Sequence, residues 1–257
     1  MKVYALHYTV YLLLFSLINL ASVSVYPEKD AESIYGKISP EAYLSGKFTP
    51  SGQDLFIDAG KLGIPTNGRK QFLRKEAAEA LKKMYQAFRK QNPDTPFWIQ
   101  SSTRNFWDQK RIWESKWEGR TRVGGKKLNL SHKDPEKRAK KILEYSSMPG
   151  TSRHHWGSDL DFNKLYNSYF ESGDGKILYG WLEKNAADYG FCQPYTDGRS
   201  GGYNEEKWHW SYRPLASKFL KDWNDIFSGR QVQGFHGWQA GGKFAGEYVN
   251  TIHSECK

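Results

Sequence analysis

The chain has 257 residues, enough for one large domain with a substantial core or for two small ones. Its formal charge of +10 favours anionic partners, but the Lys and Arg residues are scattered through helical patterns without a base-reading motif, which argues against nucleic acid. Aromatic residues make up 16% of the chain, a share that suits a carbohydrate- or peptide-facing surface and equally a core.

Residues 1–24 read as an export signal. Lys2 supplies a weak positive start, Val10 to Leu20 is largely apolar, and Ser22-Val23-Ser24 offers small residues for cleavage near Ser24. The apolar run is short for a bilayer span of about 20 residues, although an uncleaved anchor is the alternative reading. No other segment is apolar enough to span a membrane. The expectation is an exported protein, periplasmic or extracellular, with no stable membrane insertion once the signal is removed. Residues 25–68, rich in Gly, Pro and Ser, read as an irregular N-terminal arm with Phe48, Leu55, Phe56 and Ile57 as apolar anchors.

Residues 70–91 carry a helical stripe of Leu73, Ala77, Leu81, Met84 and Phe88, stopped by Asn92-Pro93. Phe97-Trp98-Ile99 is a short buried strand running into a turn at Ser101 to Arg104. Phe106 to Trp117 is a second helix, with Phe106, Ile112, Trp113 and Trp117 inward. A basic, glycine-containing loop covers 119–133. Asp134-Pro135 then starts a helix that runs to about Tyr145.

Ser158, Leu160 and Phe162 alternate with Asp159 and Asp161, the pattern of a strand with one polar face. Residues 175–189 form a helix with Ile177, Trp181, Leu182, Ala186 and Tyr189 inward. Phe191-Cys192-Gln193 and Trp208 to Tyr212 are strands by composition. Pro214 opens a last helix with Leu215, Phe219, Trp223 and Ile226 on one face. Residues 228–257 read as a Gly-rich, irregular C-terminal tail. Helices and short strands mix without regular alternation, which predicts an α+β fold: helices packed on a small, mostly antiparallel sheet.

Cys192 and Cys256 are the only cysteines. In an exported chain they either form one disulfide that pins the tail or remain two free thiols. Neither lies in a C-x-x-C pair, so cysteine-bound zinc is disfavoured.

The segment Ser152-Arg153-His154-His155-Trp156-Gly157-Ser158-Asp159-Leu160-Asp161, read with Glu206-Lys207-Trp208-His209, carries the chemistry. A hydrolytic zinc site needs three protein ligands, an open position for water and a base for the water's proton. His154, Asp161 and His209 are the candidate ligands, and Gly157 permits the change of direction that lets the first two converge. His155 competes with His154, and Asp159 competes with Asp161 or orients a ligand. Glu206, three residues before His209, is the candidate base if the chain turns there. Arg104 is placed to steady an oxyanion or hold a substrate carboxylate. Gln109, and Ser152 two residues before His154, are candidate hydrogen-bonding partners of a peptide. Trp156, Trp208 and Trp210 either wall the site or fill the core.

These residues resemble the VanY-type zinc D-alanyl-D-alanine carboxypeptidases, within the larger group of lysostaphin-type, D-Ala-D-Ala and hedgehog-related metallopeptidases. The family pattern Ser-x-His-x-x-Gly-x-Ala-x-Asp, followed by Glu-x-Trp-His, is met by Ser152, His154, Gly157 and Asp161, then Glu206, Trp208 and His209. The family's Ser-x-x-Arg with Gln five residues on is met by Ser101, Arg104 and Gln109. The stretch Trp181 to Phe191 resembles the helix between the two metal motifs. The resemblance covers roughly residues 70–215 and implies a zinc peptidase domain at 69–227, acting on peptidoglycan stem peptides. It also implies Zn2+ on His154, Asp161 and His209, with Glu206 as base and Arg104 at the oxyanion. Asp159 departs from it, standing where many members have Ala.

Overall fold

Ser39 and Pro40 start the first helix, α1 (Pro40–Leu44), where the serine hydroxyl accepts from the Ala42 N–H. The computed structural model describes residues 33–257, so the expected export signal lies outside the described residues. Ile34–Lys257 form one compact unit. The segment expected to be irregular holds α1 and a strand, β1 (Phe56–Asp58), which pairs antiparallel with β2 (Phe72–Arg74). Tyr35, Tyr43, Leu44, Phe48 and Phe56 are buried there.

β2 takes residues that helical periodicity assigned to the next helix, and α2 runs from Lys75 to Gln91. The first N–H groups of a helix have no intrahelical partner, so the preceding residues gain by pairing with β1 instead. Leu73 is buried from the strand, and Ala77, Leu81, Met84 and Phe88 are buried along the helix. β3 (Ile99–Ser101) leads to α3 (Phe106–Trp117), opened by a reciprocal cap between Asn105 and Asp108. A short helix, α4 (Leu128–Ser131), interrupts the basic loop, and α5 (Pro135–Leu143) begins where the Asp134 side chain accepts from the Glu136 and Lys137 N–H groups.

β4 (Asp159–Phe162) is followed by α6 (Gly173–Asn185). Ile177, expected inward, is 46% exposed. Leu178, Trp181 and Leu182 form the buried stripe instead, at the i, i+3, i+4 spacing of one face, which leaves residue 177 about 100° away from it. β5 (Phe191–Cys192) and β6 (His209–Tyr212) complete the sheet, and α7 (Arg213–Phe227) buries Leu215, Phe219 and Trp223. The tail expected to be irregular carries α8 (Trp238–Gly241) and α9 (Ala245–Asn250), with Phe235, Val249 and Ile252 in the core. A disulfide joins Cys192 to Cys256 across 64 residues of chain.

The main sheet has the order β3-β4-β6-β5, antiparallel throughout, which makes the fold α+β. Leu160 and Phe162 pack into an apolar cluster with residues of α2 and α6. Strand alternation turns Asp159 and Asp161 to the opposite face. Both carboxylates are nevertheless buried.

Candidate active site

Pairing of the two central strands sets Asp161 directly opposite His209, and on the other side Ser101 opposite Asp161. His154 arrives from a 3-10 turn at Arg153–Trp156 that ends on Gly157. Gly157 has φ +74°, and a Cβ there would lie 2.5 Å from the Phe56 ring, so both backbone and space demand glycine. The turn brings His154 Nε2 to 3.3 Å from Asp161 Oδ1, and the ladder brings His209 Nδ1 to 2.9 Å from the same oxygen. Ligating atoms of the three residues all lie within 4.8 Å of one another, and all three are buried.

The two remaining imidazole nitrogens have partners. His154 Nδ1 donates to the Ser102 carbonyl at 2.8 Å, which leaves Nε2 with its lone pair toward Asp161. His209 Nε2 donates to Asp159 Oδ1 at 3.2 Å, which turns Nδ1 toward Asp161. Asp159 is itself held by Arg153 Nε at 2.8 Å and by the Ser158 hydroxyl at 2.5 Å, and Arg153 reaches Ser211 at 2.7 Å. Asp159 therefore stands behind His209 and orients it, while Asp161 faces the shared point. Tyr195 packs on the His209 ring at 4.8 Å between centroids. Two imidazole nitrogens and one carboxylate oxygen, each imidazole fixed through its other nitrogen, fit a metal ion of the zinc type: bonds of about 2.0–2.1 Å in a tetrahedron put donors ~3.3 Å apart.

Electrostatics follow from burial and these contacts. Burial alone would raise the pKa of Asp161, but His154 and His209 outweigh it and hold the carboxyl far below the usual range. Burial lowers His154, with Arg104 adding repulsion. Burial would also lower His209, but its bonds to Asp159 and Asp161 push it up to about 9.

Glu206 lies in a turn closed by the bond from the His209 N–H to the Glu206 carbonyl, 3.1 Å long. The turn swings its carboxylate to 3.9 Å from His209 Nδ1. The strand begins at His209 rather than Trp208, which is why residues three apart share one side. Burial pushes the Glu206 carboxyl up to about 8; His209 opposes this, Asp161 adds to it, and Arg104 and Lys116 oppose it more weakly. Arg104 Nη1 sits 3.8 Å from Asp161 Oδ2 and donates to Ser101 Oγ at 3.1 Å.

A cavity of about 220 Å³ opens on this group, lined by Arg104, Gln109, His154, Asp161, Glu206 and His209 among others. Gln109 gives its Nε2 to the Ser147 carbonyl at 2.6 Å, while its Oε1 is buried without a partner among the described residues. Ser152 is fully buried and does not line the cavity. His155 is structural: its Nδ1 donates to the Arg104 carbonyl at 2.7 Å, its Nε2 accepts from the Gly150 N–H, and burial lowers its pKa to about 3. Of the three tryptophans, Trp208 lines the cavity, whereas Trp156 and Trp210 fill the cores. Sequence reading missed Arg153, Lys116, Tyr145, Ser146, Leu165, Tyr195 and Tyr203. Each is an ordinary polar, aromatic or aliphatic residue whose position is set only by the fold. A second grouping, Glu114, Glu118 and His236, is partly to fully exposed and already paired with Lys110 and Arg120.

The profile of the VanY D-alanyl-D-alanine carboxypeptidase family matches residues 70–215, and the chain belongs to that family. The protein YodJ of Bacillus subtilis (strain 168), whose name assigns it a carboxypeptidase role only provisionally, is 28% identical over 207 residues. That match covers 77% of this chain and 66% of the relative, so the chain spans just under two thirds of the relative's length. Among solved structures, the LdcB LD-carboxypeptidase is 22% identical, with 72% of this chain and 81% of that chain covered at a TM-score of 0.49. A variant of the vancomycin-resistance D,D-pentapeptidase VanY in complex with Zn(II) is 19% identical, with 69% and 88% covered at a TM-score of 0.44.

Proposed function

We propose that this protein is an exported, zinc-dependent peptidase that hydrolyses D-alanyl-D-alanine at the end of peptidoglycan stem peptides, as a carboxypeptidase. The observation that carries the reading is the convergence of His154, Asp161 and His209 in the wall of a cavity that Glu206 also lines. Membership of the VanY family supports the substrate class. A disulfide suits an oxidising compartment, and no helix among the described residues is long and apolar enough to cross a membrane.

His154, Asp161 and His209 would hold Zn2+, which when bound supplies Lewis-acid polarisation of a carbonyl and acidifies water. Glu206, buried beside His209 with a pKa pushed up to about 8, is suited to take a proton from the attacking water and hand it to the departing amine near neutral pH. Arg104, fixed through Ser101 and its backbone bonds to His154 and His155, presents a cation to the oxygen that gains charge as the carbonyl becomes tetrahedral. Gln109 offers its unpaired Oε1 to a peptide N–H.

The test is a digest of defined muropeptides with product masses. Release of a single alanine from the stem terminus supports the carboxypeptidase reading. Cleavage within the stem or a cross-link replaces it with an endopeptidase. Retention on wall polymer without any cleavage replaces it with a wall-binding module that uses zinc structurally.

A further inference from the structure

Lys116 lies in the last turn of α3, and its side chain lines the cavity together with Arg104, Gln109 and Glu206. It is half-buried, and among the described residues its ammonium has only the hydroxyl of Ser146 as a hydrogen-bond partner. No carboxylate among the described residues lies within ion-pairing distance of it. Some exposed lysines carry a partner, Lys218 with Asp222 and Lys221 with Asp225, each at 2.7 Å. A cation withdrawn from water is costly unless an anion compensates it. Burial lowers the Lys116 pKa from the ordinary lysine value and Arg104 repels it further, while Glu206 offsets only part. Arg104 itself is turned toward Asp161, and its Nε is buried without a partner among the described residues. The cavity thus has two cations among its lining residues, Arg104 beside Asp161 and Lys116 beside Ser146.

We propose that Lys116, with Ser146 beside it, receives the free α-carboxylate of the residue that the enzyme removes. The assignment rests on the peptidase reading above and sharpens it. A stem peptide ending in a free acid supplies the missing anion. An internal bond whose amine-side residue has no free carboxylate beside it does not, so the same ammonium disfavours cleavage at such bonds. Lys116 acts on binding, and Glu206 and Arg104 keep the chemistry. A charge-assisted hydrogen bond of this kind corresponds to about tenfold or more in affinity.

The experiment uses two synthetic stem peptides ending in D-Ala-D-Ala, identical except that one is the free acid and the other the C-terminal carboxamide. The zinc-loaded wild type should show a KM at least about tenfold lower for the acid. Lys116→Met should raise KM for the acid by about that factor and raise it far less for the amide, so that the acid-to-amide preference collapses, while Lys116→Arg retains most of the preference. Equal wild-type affinity for acid and amide overturns the assignment whatever the variants do. So does a Lys116→Met loss that is the same on both peptides. If the wild type cleaves neither peptide, the peptidase reading fails on its own, and calorimetric binding of acid against amide still decides the role of Lys116. Should Lys116→Met not fold, Lys116→Gln takes its place in the same comparison.

Discussion

On one side of the cavity, His154, Asp161 and His209 come from a glycine-ended turn and two paired strands, and both imidazole nitrogens that face away from the shared point are hydrogen-bonded. Among the other residues that line it, Lys116, Tyr145, Ser146 and Leu165 come from a helix end and connecting segments, and Tyr145 and Leu165 are about half exposed. The first wall is over-determined: moving one ligand breaks sheet register, a buried ion pair or a backbone bond. In the second group Lys116 bonds Ser146, and no carboxylate among the described residues lies within ion-pairing distance of it. On the proposed reading the contrast separates chemistry, which needs fixed geometry, from recognition, which tolerates adjustment.

The largest expected effect falls on the fixed wall. Glu206→Gln should lower turnover by about 10²–10⁴-fold while zinc stoichiometry, read by atomic absorption, stays at one per chain. Near-normal turnover would remove Glu206 from proton transfer. The disulfide comes next, because it supports the chain from outside the cavity. Cys256→Ser should cost about 2–4 kcal/mol in a denaturant melt and leave zinc affinity unchanged. A matching fall in zinc affinity would show that the tail shapes the site directly.

Asp159 tests whether orientation of His209 matters as much as ligation. Asp159→Asn keeps the shape but loses the charge that Arg153 and His209 share, so zinc affinity should drop about 10–100-fold in competition with a chromophoric chelator. Unchanged affinity would reduce Asp159 to packing.

A smaller effect concerns protons. His209, pushed up to about 9, and Glu206, pushed up to about 8, bind protons more firmly in the folded chain than in the unfolded one, whose values are near 6.5 and 4.5. Their contribution to stability is therefore fully present at low pH and is lost as pH rises through about 8 and 9. Chelator-treated protein should melt at progressively lower temperature from pH 6.5 to pH 9, and zinc uptake near pH 7 should release protons, measurable by calorimetry in buffers of different ionisation enthalpy. A flat melting profile with no proton release would contradict this electrostatic picture of the site.

Much of the fixed wall was legible in the residues. His154, Asp161, His209, Glu206 and Arg104 stand out because their spacing follows a family pattern, and Gly157 marks the turn that lets them converge. Asp159 was visible as a departure from that pattern, but its role needed the strand pairing that puts it behind His209. The helices were legible from periodicity, except where pairing with β1 claimed residues 72–74 and where the α6 face turned Ile177 outward. The second group left no trace. Lys116 reads as one more solvated lysine near a helix C-terminus, and only the packing of α3 against the segment holding Ser146 reveals that it is half-buried. The tail misled for the converse reason: glycines spaced through 228–257 suggest irregular chain, yet the bond to Cys192 and the burial of Phe235 and Val249 order it.

The most direct measurement is a crystal structure of the zinc-loaded protein with anomalous data collected at the zinc absorption edge. A single strong peak about 2.0–2.2 Å from His154 Nε2, an Asp161 carboxylate oxygen and His209 Nδ1 is the predicted result. A peak at Glu114, Glu118 and His236 with none between His154, Asp161 and His209, or no peak at all in fully loaded crystals, would contradict it.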